Sequence, residues 1–194
     1  MGLLLTIEGS ILLFIQNNIR NEYLTPVMKA VTLTGDFKGL FWIVISTVLL
    51  IIKQTRKVGI CVAISLAFSG VFTNLIIKNL VSRIRPYEMI DGLTTVIEKP
   101  TDTSFPSGHS SLGFAAAVAL LLSLSMIVKK KTAYIIGISV LIFVSIVAFS
   151  RLYLGVHFPT DVICGALLGI AYGFAGTALG KLLIKKIYRE ESGQ

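Results

Sequence analysis

Residues 132–150 read TAYIIGISVLIFVSIVAFS and contain no charged side chain. An α-helix rises about 1.5 Å per residue, so about 20 apolar residues cross the hydrocarbon core of a bilayer. Lys131 precedes this stretch and Arg151 follows it, which places a basic residue at each predicted boundary. The stretch therefore predicts a transmembrane helix.

Similar uncharged runs occur in the rest of the chain. Three are strong candidates for spans, at residues 58–77, 108–128 and 162–180, and a shorter one covers 39–52. Lys38 and Lys53 flank the shorter run, and their stems can lie along apolar surface while the ammonium groups reach the interface. Five spans are predicted, so the expected fold class is an all-α, polytopic integral membrane helical bundle with five to six transmembrane helices.

The sixth helix of that range depends on the first 35 residues. Their Leu- and Ile-rich pieces are interrupted by polar side chains, namely Glu8, Gln16, Asn17, Asn18 and Arg20. Residues 1–35 thus predict either a marginal spanning helix or an interfacial one. We expect this segment to remain in the mature protein, because it lacks the basic start and the small-x-small site of a cleaved signal peptide.

Composition limits the function classes further. Of 194 residues, 54% are hydrophobic and 14% are charged, against about 25% charged in an average soluble domain. The mean hydropathy is +0.83, which excludes a soluble globule and a disordered chain. Internal repeats are absent, so residues 1–194 are interpreted as one membrane-embedded domain, with 36–185 as its catalytic helical core.

The net charge of +8 does not require a nucleic-acid partner, because membrane proteins collect basic residues in cytoplasmic loops. Three such groups alternate with the predicted spans: Lys53, Arg56 and Lys57; Lys129, Lys130 and Lys131; Lys181, Lys185, Lys186 and Arg189. Five spans place all three on one side, which predicts a multi-pass plasma-membrane protein with a cytoplasmic C-terminus. Loops 79–106 and 151–159 then face outward.

The outward loops carry unusual polar residues. The chain contains two histidines, His109 and His157, and each lies where an outward loop meets a membrane helix. The same end holds three cations and one further acid, namely Lys78, Arg85, Arg151 and Asp161. The remaining acids of the long loop are interpreted as a solvated face, with an influence on substrate access as the alternative: Glu88, Asp91, Glu98 and Asp102.

The spacing of these residues suggests an anion site with a nucleophile and a proton donor. If residues 157–161 form a helical turn, Asp161 lies on the same face as His157. A carboxylate there can keep one ring nitrogen protonated and leave the other free to act as a nucleophile. His109 follows Pro106-Ser107-Gly108, a sequence typical of a helix start, where phosphate binds favourably and a proton can pass to a leaving oxygen.

The three cations would neutralise the equatorial oxygens of a transferring phosphoryl group. The sequence has no set of metal ligands, and its two cysteines, Cys61 and Cys164, lie in apolar runs. A route without metal or cofactor is therefore expected. Taken singly, the cations could instead reach lipid headgroups.

Glycines recur every four residues in the last predicted span, at Gly165, Gly169 and Gly173. They indicate close helix packing rather than chemistry.

Three segments together resemble the signature of the type 2 phosphatidic acid phosphatase superfamily: Lys78-x6-Arg85-Pro86, Pro106-Ser107-Gly108-His109 and Ser150-Arg151-x5-His157-x3-Asp161. The resemblance implies a metal-independent phosphatase for a lipid phosphate substrate, either an isoprenyl diphosphate such as undecaprenyl diphosphate or a phosphatidic acid or phosphatidylglycerophosphate. It also implies that His157 is the nucleophile, Asp161 its orienting partner and His109 the general acid. Phosphate would be bound by Lys78, Arg85, Ser107, Gly108 and Arg151.

Other functions remain open at this point. The same residues would serve a lipid phosphotransferase, in which an acceptor hydroxyl replaces water. A small transporter would carry charges near the middle of its spans, whereas the charges here lie at span ends. A non-catalytic binder of lipid phosphates would keep the cations without turnover. Related vanadium haloperoxidases share the signature, but they are soluble.

Overall fold

The computed structural model describes residues 2–191, and all of the regular structure in that range is helical. The α-helices are α1 (Leu3–Phe14), α2 (Leu24–Thr32), α3 (Asp36–Ile51), α4 (Arg56–Phe68), α5 (Lys78–Val81), α6 (Pro86–Met89), α7 (Gly108–Ser123), α8 (Lys130–Tyr153) and α9 (Pro159–Glu191). Two π-helical segments, Ile15–Ile19 and Ser69–Ile77, extend α1 and α4. The all-α prediction is confirmed.

Four helical stretches are long and apolar enough to cross a membrane: Arg56–Met89, Gly108–Met126, Lys130–Tyr153 and Pro159–Ile187. A fifth is formed by Leu24–Gly35 and Gly39–Ile51 if this pair, bent by 53°, is one span. The predicted interfacial role of Lys38 falls on a side chain outside the described residues. The N-terminal helix Leu3–Ile19 is shorter than a span. Helix α2 follows it, so the described part of residues 1–35 holds two separate helices.

Helix α7 lies at the centre of the bundle, where it packs against α9, α8 and α4. Alanines 115, 116, 117 and 119 are completely buried in this contact. The glycines of α9 allow the close approach, because a Cβ at Gly165 would lie 2.5 Å from the carbonyl oxygen of Ser107. A Cβ at Gly173 would lie 2.5 Å from Cβ of Val118. These contacts confirm the interpretation of the glycines as packing residues.

The span that begins with α4 changes its helical pitch after Phe68, before the chain reaches the polar loop. The π-helical segment Ser69–Ile77 carries two hydroxyls, from Ser69 and Thr73, that lie 2.6 and 2.9 Å from Oγ of Ser111 on α7. Segments of π-helix inside α-helices occur frequently at functional sites. Lys78 directly follows this segment, so the hydroxyl contacts tie the stretch before that lysine to the first turn of α7.

A tight turn connects α8 to α9 and contains Gly155. Its φ of +77° belongs to the left-handed region, and a Cβ there would lie 2.7 Å from the carbonyl oxygen of Thr94. Glycine is the residue that adopts this conformation without steric cost. The turn returns the chain toward the bundle and places His157 between Arg151 at the end of α8 and Asp161 in α9.

Candidate active site

A cavity of about 700 Å³ lies at the end of the bundle where α5 ends and where α7 and α9 begin. Six of the eight predicted site residues line it: Lys78, Arg85, Gly108, His109, Arg151 and His157. The other two, Ser107 and Asp161, are fully buried behind its wall. The structure therefore brings all three motif segments to one place.

The imidazole of His157 is buried, with 2% of the residue exposed. Its Nδ1 lies 3.4 Å from Oδ2 of Asp161, and its Nε2 lies 3.4 Å from Nη1 of Arg85. The Asp161 contact is longer than a well-formed hydrogen bond, and catalytic hydrogen bonds often shorten only when substrate is bound. One ring nitrogen thus faces the carboxylate, and the other faces the cation at the cavity.

Burial lowers the pKa of His157 to about 3, and the charges of Arg85 and Arg151 act in the same direction. Asp161 opposes this shift but does not cancel it. The ring is therefore neutral at neutral pH, as a nitrogen nucleophile must be.

Asp161 is fixed by contacts from its own motif segment and from residues 104–107. Its Oδ2 accepts a hydrogen bond of 2.8 Å from the N–H of Phe158 and another from the hydroxyl of Ser104. The first contact has the geometry of a capping box, in which an acid in the first turn returns to the residue before the helix. The N–H of Ser107 donates to the carbonyl oxygen of Asp161 at 3.0 Å. The second and third motif segments are therefore joined directly.

Ser107 is the N-cap of α7, and its Oγ accepts hydrogen bonds from the N–H of Ser110 at 3.4 Å and from its hydroxyl at 3.0 Å. The first amides of a helix have no acceptor within that helix, so the start of α7 favours an anion. His109 lies in this turn, and its Nε2 is 2.8 Å from Oδ1 of Asp36. Asp36, at the start of α3, was not predicted from the sequence.

Arg151 is the most deeply buried cation of the site, with 2% of the residue exposed. Its Nη1 donates to Oγ1 of Thr32 and lies 3.9 Å from Oδ1 of Asp36. Its Nε has no hydrogen-bond partner among the residues that the structure describes. A buried guanidinium with an unused donor favours an oxyanion ligand, because an unsatisfied buried donor is costly.

Asp102 refines one interpretation made from the sequence. Its Oδ1 lies 2.5 Å from Nη2 of Arg85, and its Oδ2 accepts a hydrogen bond from Lys78. Burial acts to raise the pKa of Asp102, but Lys78 and Arg85 outweigh it and lower this pKa to about 2. With 58% of its side chain exposed, Asp102 is solvated, but it is also an ion-paired residue of the cavity, which favours the alternative that this acid influences substrate access.

Sequence reasoning also missed a pair behind Asp161. Nη1 of Arg83 lies 2.7 Å from Oδ1 of Asp161, and Nη2 of Arg83 lies 2.5 Å from Oε2 of Glu8. The sequence alone indicates Glu8 only as an interruption of an apolar segment. An ionisable residue in a strongly apolar helix is itself a signal of function, and that signal could have identified Glu8.

Comparison with known proteins gives a consistent result. The sequence model of the PAP2 superfamily matches residues 58–184. The chain is 40% identical to an undecaprenyl-diphosphatase of Sulfolobus acidocaldarius over 128 residues, which are 66% of this chain and 58% of the relative. It is 39% identical to phosphatidylglycerophosphatase B of Bacillus subtilis over 106 residues, 52% of this chain and 48% of the relative. The chain thus spans less than two thirds of both relatives.

Among solved structures, the crystal structure of a transmembrane PAP2-type phosphatidylglycerolphosphate phosphatase from Bacillus subtilis has the same fold. The TM-score is 0.70 at 24% identity, with 94% of this chain and 86% of that chain covered. The matched family segment contains every residue from Lys78 to Asp161 that forms the three motifs. The chain belongs to the PAP2 superfamily.

Proposed function

We propose that this protein hydrolyses a lipid phosphate or isoprenyl diphosphate at the cavity, without a metal ion, through a phosphohistidine on His157. The observation that carries the proposal is the position of His157, between Asp161 on Nδ1 and Arg85 near Nε2. Membership in the PAP2 superfamily supports the reaction class. Three cations of the cavity, Lys78, Arg85 and Arg151, would bind the phosphoryl oxygens.

In the first step, Nε2 of His157 attacks phosphorus, and the bond between phosphorus and the leaving oxygen breaks. His109 must enter this step protonated, a form that the 2.8 Å contact of its Nε2 with Oδ1 of Asp36 favours, and it gives its proton to that oxygen. Asp161 stabilises the positive charge that develops on the ring of His157. The three cations neutralise the charge spread over the equatorial oxygens. The products of this step are phosphohistidine and the dephosphorylated lipid.

In the second step, water attacks the phosphorus while His109, now neutral, accepts its proton. The bond between phosphorus and Nε2 breaks, and inorganic phosphate leaves. His157 returns to its neutral form and His109 to its protonated form, so the cycle balances.

The lipid tail would enter between helices from the side. Leu75 lines the cavity and is 65% exposed on the apolar surface of the bundle, next to Asn74 in the same wall. A cavity that combines a lipid-facing leucine with a basic end suits a substrate with a hydrocarbon tail and a phosphate head. This opening therefore supports a membrane lipid as the substrate.

Two lipid substrates have specific support from the relatives. The identity of 40% to an undecaprenyl-diphosphatase favours undecaprenyl diphosphate, with undecaprenyl phosphate as the product. The identity of 39% to phosphatidylglycerophosphatase B favours phosphatidylglycerophosphate as the second candidate. We place undecaprenyl diphosphate first, because that relative's alignment covers more of this chain.

We assign the site to the extracytoplasmic face of the plasma membrane and the C-terminus to the cytoplasm. The support is the charge distribution, since the basic groups at residues 53–57, 129–131 and 181–186 lie at the opposite helix ends from the cavity. Asp91→Cys, exposed on the long loop, should react with a membrane-impermeant maleimide in intact cells. Lys130→Cys should react only after permeabilisation, and the reverse pattern would contradict this orientation.

The substrate test uses purified protein in detergent with EDTA. Release of phosphate from undecaprenyl diphosphate, phosphatidylglycerophosphate and phosphatidic acid is measured beside the His157→Ala variant. Release that survives chelation and is lost in a folded His157→Ala variant would support the proposal. Activity that disappears with EDTA, or that His157→Ala retains, would contradict it.

Phosphotransfer is the remaining enzymatic alternative, because an acceptor hydroxyl could replace water in the second step. Product analysis in the presence of a lipid alcohol separates the two reactions. A phosphorylated acceptor in place of inorganic phosphate would assign the protein as a phosphotransferase.

A further inference from the structure

A chain of paired charges, with both carboxylates buried and Arg83 partly exposed, continues behind the His157–Asp161 pair and ends on the N-terminal helix α1. Glu8 of α1 is 2% exposed, and its Oε2 lies 2.5 Å from Nη2 of Arg83. Nη1 of the same guanidinium lies 2.7 Å from Oδ1 of Asp161, the oxygen that does not face His157. Arg83 therefore connects a carboxylate of α1 to the carboxylate that holds the proposed nucleophile.

Glu8 also holds the first turn of α9. Its Oε1 accepts hydrogen bonds from the N–H of Thr160 at 3.1 Å and from the hydroxyl of Thr160 at 2.5 Å. Nη1 of Arg83 donates to the same hydroxyl oxygen at 2.7 Å. Thr160 directly precedes Asp161, so Glu8 restrains both the backbone and the counter-ion of that carboxylate.

The guanidinium of Arg83 is held on a third side by an aromatic ring. Its Cζ lies 3.9 Å from the centroid of the Phe158 ring, and Phe158 is fully buried. Stacking on an aromatic face fixes the plane of the guanidinium. Arg83 is thus oriented by Glu8, Thr160 and Phe158 before it contacts Asp161.

The charges of this chain bear directly on His157. Arg83 alone would neutralise Asp161 and weaken its attraction for a positively charged ring. The carboxylate of Glu8 offsets Arg83, so the three side chains together carry one negative charge behind the imidazole. When Nε2 attacks phosphorus, the ring becomes positive, and that remaining charge stabilises it.

A purely structural role explains this arrangement less well. Burying charged groups is costly unless each is paired, and apolar side chains of similar volume often give equal or greater stability. A charged chain that ends at the proposed nucleophile has a second use, which is to set the electrostatic environment of His157.

We propose that Glu8 and Arg83 are positioning residues for the His157–Asp161 pair, so that helix α1 is part of the catalytic apparatus. This inference rests on the proposed function, in which His157 is the nucleophile. In the part of the chain that the structure describes, neither Glu8 nor Arg83 lines the cavity, and both act through Asp161.

The charged groups that face each member define the test. His157 is influenced by Asp161, Arg85 and Arg151. The carboxylate of Asp161 contacts Arg83 and His157, and its other hydrogen-bond partners are the neutral groups of Ser104 and Phe158. The contacts of Glu8 are those with Arg83 and Thr160 described above. Changing Glu8 or Arg83 therefore alters the charge behind His157 and leaves the cavity cations in place.

The experiment compares Glu8→Gln, Arg83→Lys and the double variant Glu8→Gln/Arg83→Gln with the wild type. Glu8→Gln keeps the shape but leaves Arg83 to neutralise Asp161, so kcat should fall about tenfold while KM changes little. The double variant restores one net negative charge, so its kcat should recover several-fold relative to Glu8→Gln. Arg83→Lys keeps the charge and should lose less activity than Glu8→Gln.

Glu22→Gln, exposed in the same N-terminal segment, is the matched control and should leave kcat and KM unchanged. Thermal stability in detergent is measured for every variant. A role limited to packing predicts that the double variant is at least as impaired as Glu8→Gln, which is the opposite of recovery. The dependence of kcat on pH adds a readout. Loss of the negative charge in Glu8→Gln disfavours protonation of His157, so the acidic limb should shift to lower pH, whereas Glu22→Gln should not shift it.

The results also separate this inference from the proposed function. An active wild type with an inactive His157→Ala variant and a normal Glu8→Gln variant would overturn the positioning role alone. A double variant as stable as Glu8→Gln but no more active would also overturn it. A wild type without phosphatase activity, or an active His157→Ala variant, would overturn the proposed function and this inference with it.

Discussion

Oδ1 of Asp102 lies 2.5 Å from Nη2 of Arg85. An acidic side chain of the protein itself is therefore ion-paired with a cation of the proposed phosphate site. Lys78 binds the other oxygen of the same carboxylate. Carboxylate and phosphate oxygens accept the same charge-assisted hydrogen bonds. A bound phosphate must therefore compete with Asp102 for Lys78 and Arg85.

Removing this competition should tighten phosphate binding. We expect Asp102→Asn to lower KM, and to lower the inhibition constant of orthovanadate by about threefold, the modest size typical of partly exposed ion pairs. Steady-state kinetics with vanadate as inhibitor measure both. Asp91→Asn on the same loop is the control and should change neither value. Weaker vanadate inhibition in a folded Asp102→Asn protein would show that Asp102 supports the site instead.

The unpartnered Nε of Arg151 gives a second prediction. Arg151→Lys keeps the positive charge but removes this donor and the planar fork, so kcat/KM should fall about tenfold or more. Thr32→Val removes only the partner of Nη1 and should lose less. Parallel measurements of kcat/KM decide the point, and an Arg151→Lys protein with wild-type kinetics would show that Nε binds no phosphate oxygen.

The pKa of His157 predicts how stability depends on pH. Burial lowers this pKa from its ordinary 6.5 to about 3, so the unfolded chain binds a proton that the folded chain excludes. The contribution of the neutral ring is complete above pH 6.5 and is lost as pH falls toward 3. Between these two pKa values, this one group changes the free energy of unfolding by up to about 1.4 kcal/mol per pH unit.

His157→Gln should remove that slope, because glutamine does not titrate. Unfolding temperatures in detergent at pH 7, 6 and 5, three points flanking the ordinary value, should fall more steeply for the wild type than for His157→Gln. Other titrating groups are common to both proteins. Parallel curves would mean that the imidazole is not held neutral in the folded state.

Packing of α9 against α7 can be tested at Gly165. A Cβ there would meet the carbonyl oxygen of Ser107 at 2.5 Å, so Gly165→Ala forces the two helices apart. We expect a loss of about 1–3 kcal/mol of stability and a larger loss of activity, because Ser107 is displaced. Gly70→Ala is the matched control for stability, since a Cβ at Gly70 meets nothing within 4 Å. Equal unfolding temperatures for the two variants would contradict the close contact.

Much of the fold could be predicted because the signals are local. Residues 132–150 and 162–180 lack charge over the length of a span, and charges at their ends mark the boundaries. The site residues could be predicted for a related reason. His109 and His157 are the two histidines of the chain, and each lies where a predicted outward loop meets a membrane helix.

The missing parts depend on tertiary contacts that no local pattern specifies. Glu8 and Arg83 are 75 positions apart, and their ion pair exists because α1 lies beside the loop between α5 and α6 that carries Arg83. Asp102 resembles the other loop acids in sequence, and the path of residues 90–107 brings it to Lys78 and Arg85. The π-helical segment Ser69–Ile77 has the composition of an ordinary apolar helix, so its pitch could not be predicted either.

The proposed mechanism requires that His157 carries the phosphoryl group during turnover. The most direct measurement incubates the wild type with undecaprenyl diphosphate labelled in its terminal phosphate and quenches the reaction in alkali, which preserves the bond between phosphorus and a histidine nitrogen. Peptide mapping by mass spectrometry then locates the label. We expect phosphate on His157 and none in the His157→Ala variant, whereas label on His109, or turnover without any labelled histidine, would contradict a phosphohistidine on His157.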